Sequence, residues 1–205
     1  MSRIRNYLFC AVLLGGCDQG APDSVVPPET GHSPIEVDVA AEAQRAKSAI
    51  AMFAASLQIA LKQAMMEGGP VNAIEVCNSK AGPIAEAVAS EQGLQLARVS
   101  LKNRNPANAP NDWQQPVLES FESRRAAGEN PAELAWMEVA EIKGGQEFRF
   151  MKAIPTSSLC LQCHGSAIAP DVSVRLNELY PHDQATGFTE GDIRGAFVVT
   201  SRLPD

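Results

Sequence analysis

The chain has 205 residues, of which 45% are hydrophobic and 20% charged, and its 17 basic and 24 acidic residues give a net charge of −7. This acidic balance argues against a nucleic-acid partner, because binding to phosphates requires a basic surface. The length fits one domain with a tail, and the apolar fraction indicates a folded rather than a disordered protein.

The first 16 residues have the layout of an export signal, with two arginines followed by an apolar run over residues 7–14. A helix that crosses a membrane needs about 20 apolar residues, so this run is too short. It ends in LGGC at residues 14–17, which resembles the lipobox of bacterial lipoproteins. We therefore predict cleavage after residue 16 and lipidation of Cys17, which would anchor an exported, periplasmic protein to a bacterial membrane. The alternative is an ordinary secretory signal with an incidental cysteine.

Residues 17–38 are rich in Pro, Gly and Ser and have no helical periodicity, which predicts a flexible tether. Residues 39–205 are expected to form one domain. Helical patterns come first, followed by strand patterns with inserted helices. This order indicates an α+β fold in which helices flank an antiparallel sheet.

Helical patterns occupy the first part of this domain. Apolar residues at intervals of three or four from Val39 predict one long helix that ends at the GGP sequence of residues 68–70. A second helix is expected over residues 71–79 and a third up to Gln92, with a break between them at Gly82-Pro83.

Strand patterns dominate the second part. Residues 135–142 and 147–154 flank a Gly-Gly pair and predict a β-hairpin. Alternating apolar residues predict a strand over residues 94–101 and a last strand over residues 193–201. The other expectations are a loop over residues 103–112, a short helix from Trp113 to about Gly128, and a helix over residues 172–179.

The most specific pattern in the chain is the CLQCH sequence of residues 160–164. Two thiols one helical turn apart can each add across a vinyl group of one porphyrin, and the adjacent histidine then faces the iron. This is the attachment motif of c-type cytochromes. It predicts one covalently bound haem c, held by Cys160 and Cys163, with His164 as an iron ligand. Export agrees with this prediction, because such haem is attached outside the cytoplasm.

Three other uses of these cysteines are less consistent with the sequence. A thioredoxin-like redox pair requires a strand-to-helix context. Structural zinc requires four ligands, and Cys77 is the only further cysteine in the predicted domain. A disulfide between Cys160 and Cys163 would leave His164 without a role.

The second axial ligand of the iron is less well defined by the residues. Cys77, His182 and several methionines are candidates, with Met151 the best placed of the methionines. His182 lies in a predicted turn and is expected to be exposed. Cys77 is the only unassigned thiol of the domain, yet a buried cysteine is commonly a small hydrophobic residue. The choice between Cys77 and a methionine stays open at this point.

Four motifs resemble those of a family of exported c-haem domains with a PAS-like fold, whose members occur alone or as sensor domains of histidine kinases. The motifs are VCN at residues 76–78, SLKNRNPANAP at 100–110, CLQCHG at 160–165 and GFTEGDIRG at 187–195. The resemblance covers roughly residues 40–202. In that family the haem lies between the histidine of the attachment motif and the cysteine of the VCN motif. The resemblance therefore implies His164 and Cys77 as axial ligands and a role in redox or small-gas sensing.

Basic residues around the second motif are candidates to bind the haem propionates. A guanidinium can bind a carboxylate through two hydrogen bonds, and we predict this role for Arg104, with Arg98 and Lys102 as weaker candidates. The alternative is a solvated strand edge. Asp192 and Arg194 are expected to shape the turn into the last strand.

The predicted haem site is consistent with two functions, and a third, enzymatic turnover, is not expected. Reduction would weaken an iron–thiolate bond, so Cys77 could leave and open a site for NO, CO or O₂, as in a sensor. The alternative is a membrane-anchored electron-transfer cytochrome c that docks on a basic redox partner protein. Enzymatic turnover is not expected, because peroxidase chemistry needs a distal acid–base residue and the sequence offers only His182.

Overall fold

The structure is a computed structural model that describes residues 38–204. The predicted signal, nearly all of the predicted tether and the predicted lipidation site Cys17 lie outside these residues. Residues 38–204 contain four strands: β1 (Gln95–Val99), β2 (Ala135–Ile142), β3 (Gly145–Pro155) and β4 (Ile193–Arg202). The helices are α1 (Val39–Ser79), α2 (Ala81–Gln92), α3 (Gln114–Ala126), α4 (Leu161–His164) and α5 (Pro170–Leu179).

The strands form one antiparallel sheet in the order β1-β4-β3-β2. Val99 of β1 lies opposite Ala196 of β4, and Val199 of β4 lies opposite Phe150 of β3. The β2–β3 pair is the hairpin that the sequence predicts. The α+β class and the PAS-like arrangement of an antiparallel sheet with flanking helices and a long first helix are confirmed.

Helices cover both faces of the sheet, because apolar side chains alternate along the strands and each face needs burial. The first half of α1 packs on one face in a cluster formed by Ala43, Ala46, Ile50, Phe148, Phe150, Val199 and Leu203. Helix α3 packs on the other face with a cluster that includes Val117, Leu118, Phe121, Met151 and Val198.

Helix α1 is interrupted by a kink about three quarters along its length, at the glycine pair where the sequence predicts the end of one helix and the start of the next. Gly68 and Gly69 do not have helical backbone angles, and Gly69 has a φ of +67°, which favours glycine. Val76 packs in one cluster with Ala64 and Leu61, so the chain folds back on itself at the kink. The kink thereby places residues 70–79 beside residues 57–65, the part of the helix just before the kink.

The predicted break at Gly82-Pro83 is wrong. Helix α2 begins at Ala81 and contains both residues, and the break between the helices lies at Lys80. Proline is tolerated in the first turn of a helix, because the N–H that it lacks would have no partner within the helix.

The backbone at the start of β4 lies very close to the backbone of β1, and a substitution can test this contact. Gly195 has a φ of +154°, and a Cβ there would lie far inside contact distance of the Val99 carbonyl oxygen. We expect Gly195→Ala to lower the free energy of unfolding by roughly 1–3 kcal/mol, as measured by urea denaturation. Gly82→Ala is the matched control, since its Cβ would meet nothing within 4 Å and its stability should be unchanged or slightly higher. Equal stability of the two variants would contradict the close approach.

Candidate functional site

The cysteine motif lies on a short helical segment that follows β3. A 3₁₀ turn over Ser158–Cys160 leads directly into α4, so both cysteines are on helical turns. Cys160 and Cys163 are partly buried free thiols. The backbone N–H of Thr156 donates to the Asp192 carbonyl over 2.7 Å and fixes the start of this segment against the turn before β4. Both thiols are therefore available for chemistry on a firmly anchored segment.

His164 is held in the form that binds metals. Its Nδ1 lies 2.7 Å from the Ala185 carbonyl oxygen. Because a carbonyl oxygen only accepts hydrogen bonds, Nδ1 carries the proton and Nε2 carries the lone pair, which faces the donor Nε of Arg194 at 3.5 Å. Burial lowers the pKa of His164 to about 3, with further lowering by the charges of Arg194 and Arg104. The imidazole is therefore neutral at physiological pH.

A loop over residues 183–188 holds His164 in place. The backbone N–H of Phe188 donates to the His164 carbonyl over 2.9 Å, and that of Gly187 donates to the Gly165 carbonyl over 3.0 Å. The Phe188 ring meets the imidazole edge-on, with centroids 6.3 Å apart. Backbone, carbonyl and ring contacts together fix both the position and the orientation of the imidazole.

Arg104 connects this loop to the cysteine motif. Its Nε donates to Asp183 Oδ2 over 3.0 Å, and the two side chains are only 9% and 8% exposed. Its Nη2 donates to the carbonyls of Cys163 and Ala185. Arg104 thus lies at the site, as the sequence predicts, with its charge paired by Asp183. Its binding to a propionate stays a prediction.

Cys77 lies near the same site, although it belongs to α1, since Ile74, one turn before it, packs in one cluster with Cys163. Burial raises the pKa of its thiol, while the charges of Arg98, Arg104 and Arg194 oppose that rise. The same three guanidiniums act on the pKa of His164. Cys77 and His164 therefore both lie near three cations, called here the arginine group (Arg98, Arg104 and Arg194).

Arg194 was expected only to shape a turn, and that expectation is corrected. Its Nε lies 3.2 Å from Nδ1 and 3.5 Å from Nε2 of His164, and its Nη1 donates to Ser100 Oγ over 3.1 Å. Asp192 does serve the turn, since it accepts from the backbone N–H and the hydroxyl of Thr189. A basic residue at the start of a buried strand, between Ile193 and Gly195, is the signal in the sequence that could have indicated a site residue.

The other residues that the sequence suggests as iron or propionate ligands lie away from the site or bind another group of the protein. Met151 is fully buried in the cluster under α3, whereas Cys163 packs against a different cluster that contains Ile74 and Tyr180. His182 is exposed, as predicted. The exposed Lys102 donates to the Thr186 carbonyl over 2.7 Å.

The side chains at this site are candidates for covalent attachment and for ligation of a metal, but they form no complete metal site of their own. Within residues 38–204, no group of three or more His, Cys, Asp or Glu side chains is arranged to hold a metal ion. The site instead combines two thiols on one short segment, a neutral imidazole and a third thiol beside cations. This donor set fits a macrocycle that brings its own equatorial ligands.

Comparison with known proteins identifies the family. The profile of the Tll0287-like family matches residues 33–202. The chain belongs to the Tll0287-like family. This membership confirms the resemblance that the four sequence motifs indicate.

A solved structure related to this Tll0287-like chain is the crystal structure of the cyanobacterial heme-protein Tll0287. The two share 26% sequence identity, with a TM-score of 0.60 over 80% of this chain and 97% of the other. Among curated proteins, no sequence matches the chain.

The buried ion pair between Arg104 and Asp183 gives a test of how the site is held together. We expect Asp183→Asn to lower the free energy of unfolding of this Tll0287-like domain by about 3–5 kcal/mol, because it leaves a buried guanidinium unpaired. Urea denaturation of the protein without any cofactor measures this loss. Glu129→Gln is the control, since it removes an exposed ion pair with Arg124 and should leave stability unchanged. An Asp183→Asn variant as stable as this control would contradict the role of the pair.

Proposed function

We propose that the chain binds one haem covalently through Cys160 and Cys163, with His164 and Cys77 as the axial ligands of the iron. The observation that carries the proposal is that the Cys77 segment of α1 and the cysteine motif lie together. Ile74, one turn before Cys77, packs in one cluster with Cys163, and the arginine group contacts Cys163 and His164. That the structural relative is a heme-protein supports haem as the cofactor.

The state of each side chain suits this assignment. When bound, haem supplies an iron that changes oxidation state and binds small gases. His164 needs no deprotonation to become a ligand, because its imidazole is neutral and Nδ1 is held by Ala185. Cys77 must lose its proton to bind as a thiolate, and metal coordination and the arginine group both favour that loss.

We infer that the chain is a redox or small-gas sensing module, with NO, CO and O₂ as candidate ligands. The two axial residues are held differently, which supports this role. His164 is fixed by the 183–188 loop, whereas Cys77 lies on the segment of α1 after the glycine kink. Since burial favours its neutral thiol, Cys77 is suited to leaving the iron. The exposed position of His182 gives no support to a distal acid–base residue, so we propose binding rather than enzymatic turnover.

We further propose that the protein is exported to the periplasm and anchored to a membrane by lipid on Cys17. The LGGC sequence and the attachment of c-type haem outside the cytoplasm support this location. Fractionation of cells that express the full chain tests it, and recovery in the cytosol would contradict it.

Covalent attachment is the first test. After expression with the cytochrome maturation machinery, we expect the pigment to stay on the polypeptide in pyridine and alkali, because two thioether bonds hold it. Cys160→Ser and Cys163→Ser should each leave one thioether and shift the pyridine haemochrome spectrum, and the double variant should lose the pigment on denaturation. Cys77→Ser is the matched control, since it removes the third cysteine and should keep the covalent pigment. Pigment that washes out of the denatured wild type would refute the proposal.

Axial ligation and sensing are tested by spectroscopy of the loaded protein. We expect ferric wild type to give a low-spin thiolate EPR signal that Cys77→Ser abolishes.

The reduced protein should bind CO readily and the oxidised protein little, because Cys77 leaves on reduction. A ferrous protein that stays six-coordinate and refuses CO would exclude ligand exchange. A methionine charge-transfer band that survives Cys77→Ser would instead favour the electron-transfer cytochrome.

A further inference from the structure

The arginine group carries more positive charge than the protein compensates. Within residues 38–204, its only ion pair is the one between Arg104 and Asp183. Arg98 and Arg194 form none with any carboxylate of that part of the chain. Arg98 and Arg194 are partly buried, and charge withdrawn from water without a counterion is costly unless an anion binds there. Two guanidiniums are therefore left at the site for anionic groups.

Arg194 is positioned but not neutralised by its contacts. Ser100 Oγ and the Lys102 carbonyl accept from its Nη1 over 3.1 and 3.3 Å, and its guanidinium carbon lies 5.4 Å from the Phe188 ring centre. These partners are uncharged, so they orient the guanidinium without cancelling its charge. Since its Nε lies against the imidazole of His164, Arg194 is next to the predicted iron ligand.

Arg98 lies on β1, the strand that pairs with the β4 strand of Arg194. Its guanidinium carbon lies 5.4 Å from the ring centre of Phe53, which is buried in α1. The charged and titratable groups that act on it are Cys77 and Tyr180, neither of which is a carboxylate. The aromatic face supports the guanidinium and leaves its N–H groups free to bind an anion.

We propose that Arg98 and Arg194 bind the two propionates of the haem, and that Arg104 serves instead as the structural connection between the cysteine motif and the 183–188 loop. This inference rests on the proposed haem binding. Two unpaired cations match the two propionate carboxylates in number and in charge, and a guanidinium can donate two parallel hydrogen bonds to each. Arg104 is less suited, because Asp183 and two carbonyls already use its Nε and Nη2.

The test compares variants of the haem-loaded full chain. Arg98→Gln and Arg194→Gln should each shift the resonance Raman bending band of the propionates and lower the midpoint potential, since a positive charge near the iron favours the ferrous state. Arg98→Lys and Arg194→Lys should keep the midpoint potential near that of wild type and still shift the band, because an ammonium cannot donate two parallel hydrogen bonds. Arg104→Gln should lower stability in urea and leave the band unchanged. Arg124→Gln, an exposed substitution on α3, should change neither readout.

The outcomes separate this inference from the proposed function. A wild type without covalent pigment refutes haem attachment itself. A wild type with covalent pigment, beside Arg98→Gln and Arg194→Gln variants whose band and potential match those of Arg124→Gln, refutes only the propionate assignment. A glutamine variant that fails to load beside a lysine variant that loads supports it, because the two differ in charge.

Discussion

The site depends on positive charge held in a place with little water. Arg98, Arg104 and Arg194 converge where the protein contributes one carboxylate, Asp183. Attraction between charges is strong in such surroundings, and so is the cost of leaving a charge unmatched. The protein limits this cost with carbonyl and hydroxyl acceptors, among them the Cys163 carbonyl and Ser100 Oγ. These neutral acceptors orient the guanidiniums without cancelling their charge, which supports the proposed binding of anionic groups.

The same interactions hold the polypeptide around the site together. Arg104 binds backbone oxygens of the cysteine motif and of the 183–188 loop, and that loop binds His164 through Ala185 and Phe188. The orientation of the imidazole is therefore set by an ion pair that does not touch the ring. Outer contacts of this kind control how well a histidine serves as a ligand.

Much of the fold could be predicted from the sequence because periodicity is a local property. The β2–β3 hairpin, the kink of α1 and the attachment motif all follow from residues close together in the chain. Gly82-Pro83 misled the prediction, because proline within the first helical turn looks like a break in the sequence alone. The contacts of Arg194 with His164 and of Arg104 with Asp183 join residues far apart in the chain, so a local pattern can mark Arg194 as unusual but cannot indicate which residues meet.

The two axial candidates differ in how strongly the protein commits them to the iron. Burial and the arginine group both favour neutral His164, which is its ligand form, so the two effects act together on that residue. For Cys77 the two effects oppose each other, since burial favours the thiol and the arginine group favours the thiolate, which is the ligand form. Under the proposed haem binding, His164 on α4 would be a permanent ligand and Cys77 beyond the glycine kink a conditional one, which makes an asymmetric pair. An electron carrier works best when both ligands stay in place on reduction. A sensor needs one ligand that responds to the charge on the metal, and the opposing effects on Cys77 support the proposed sensing role.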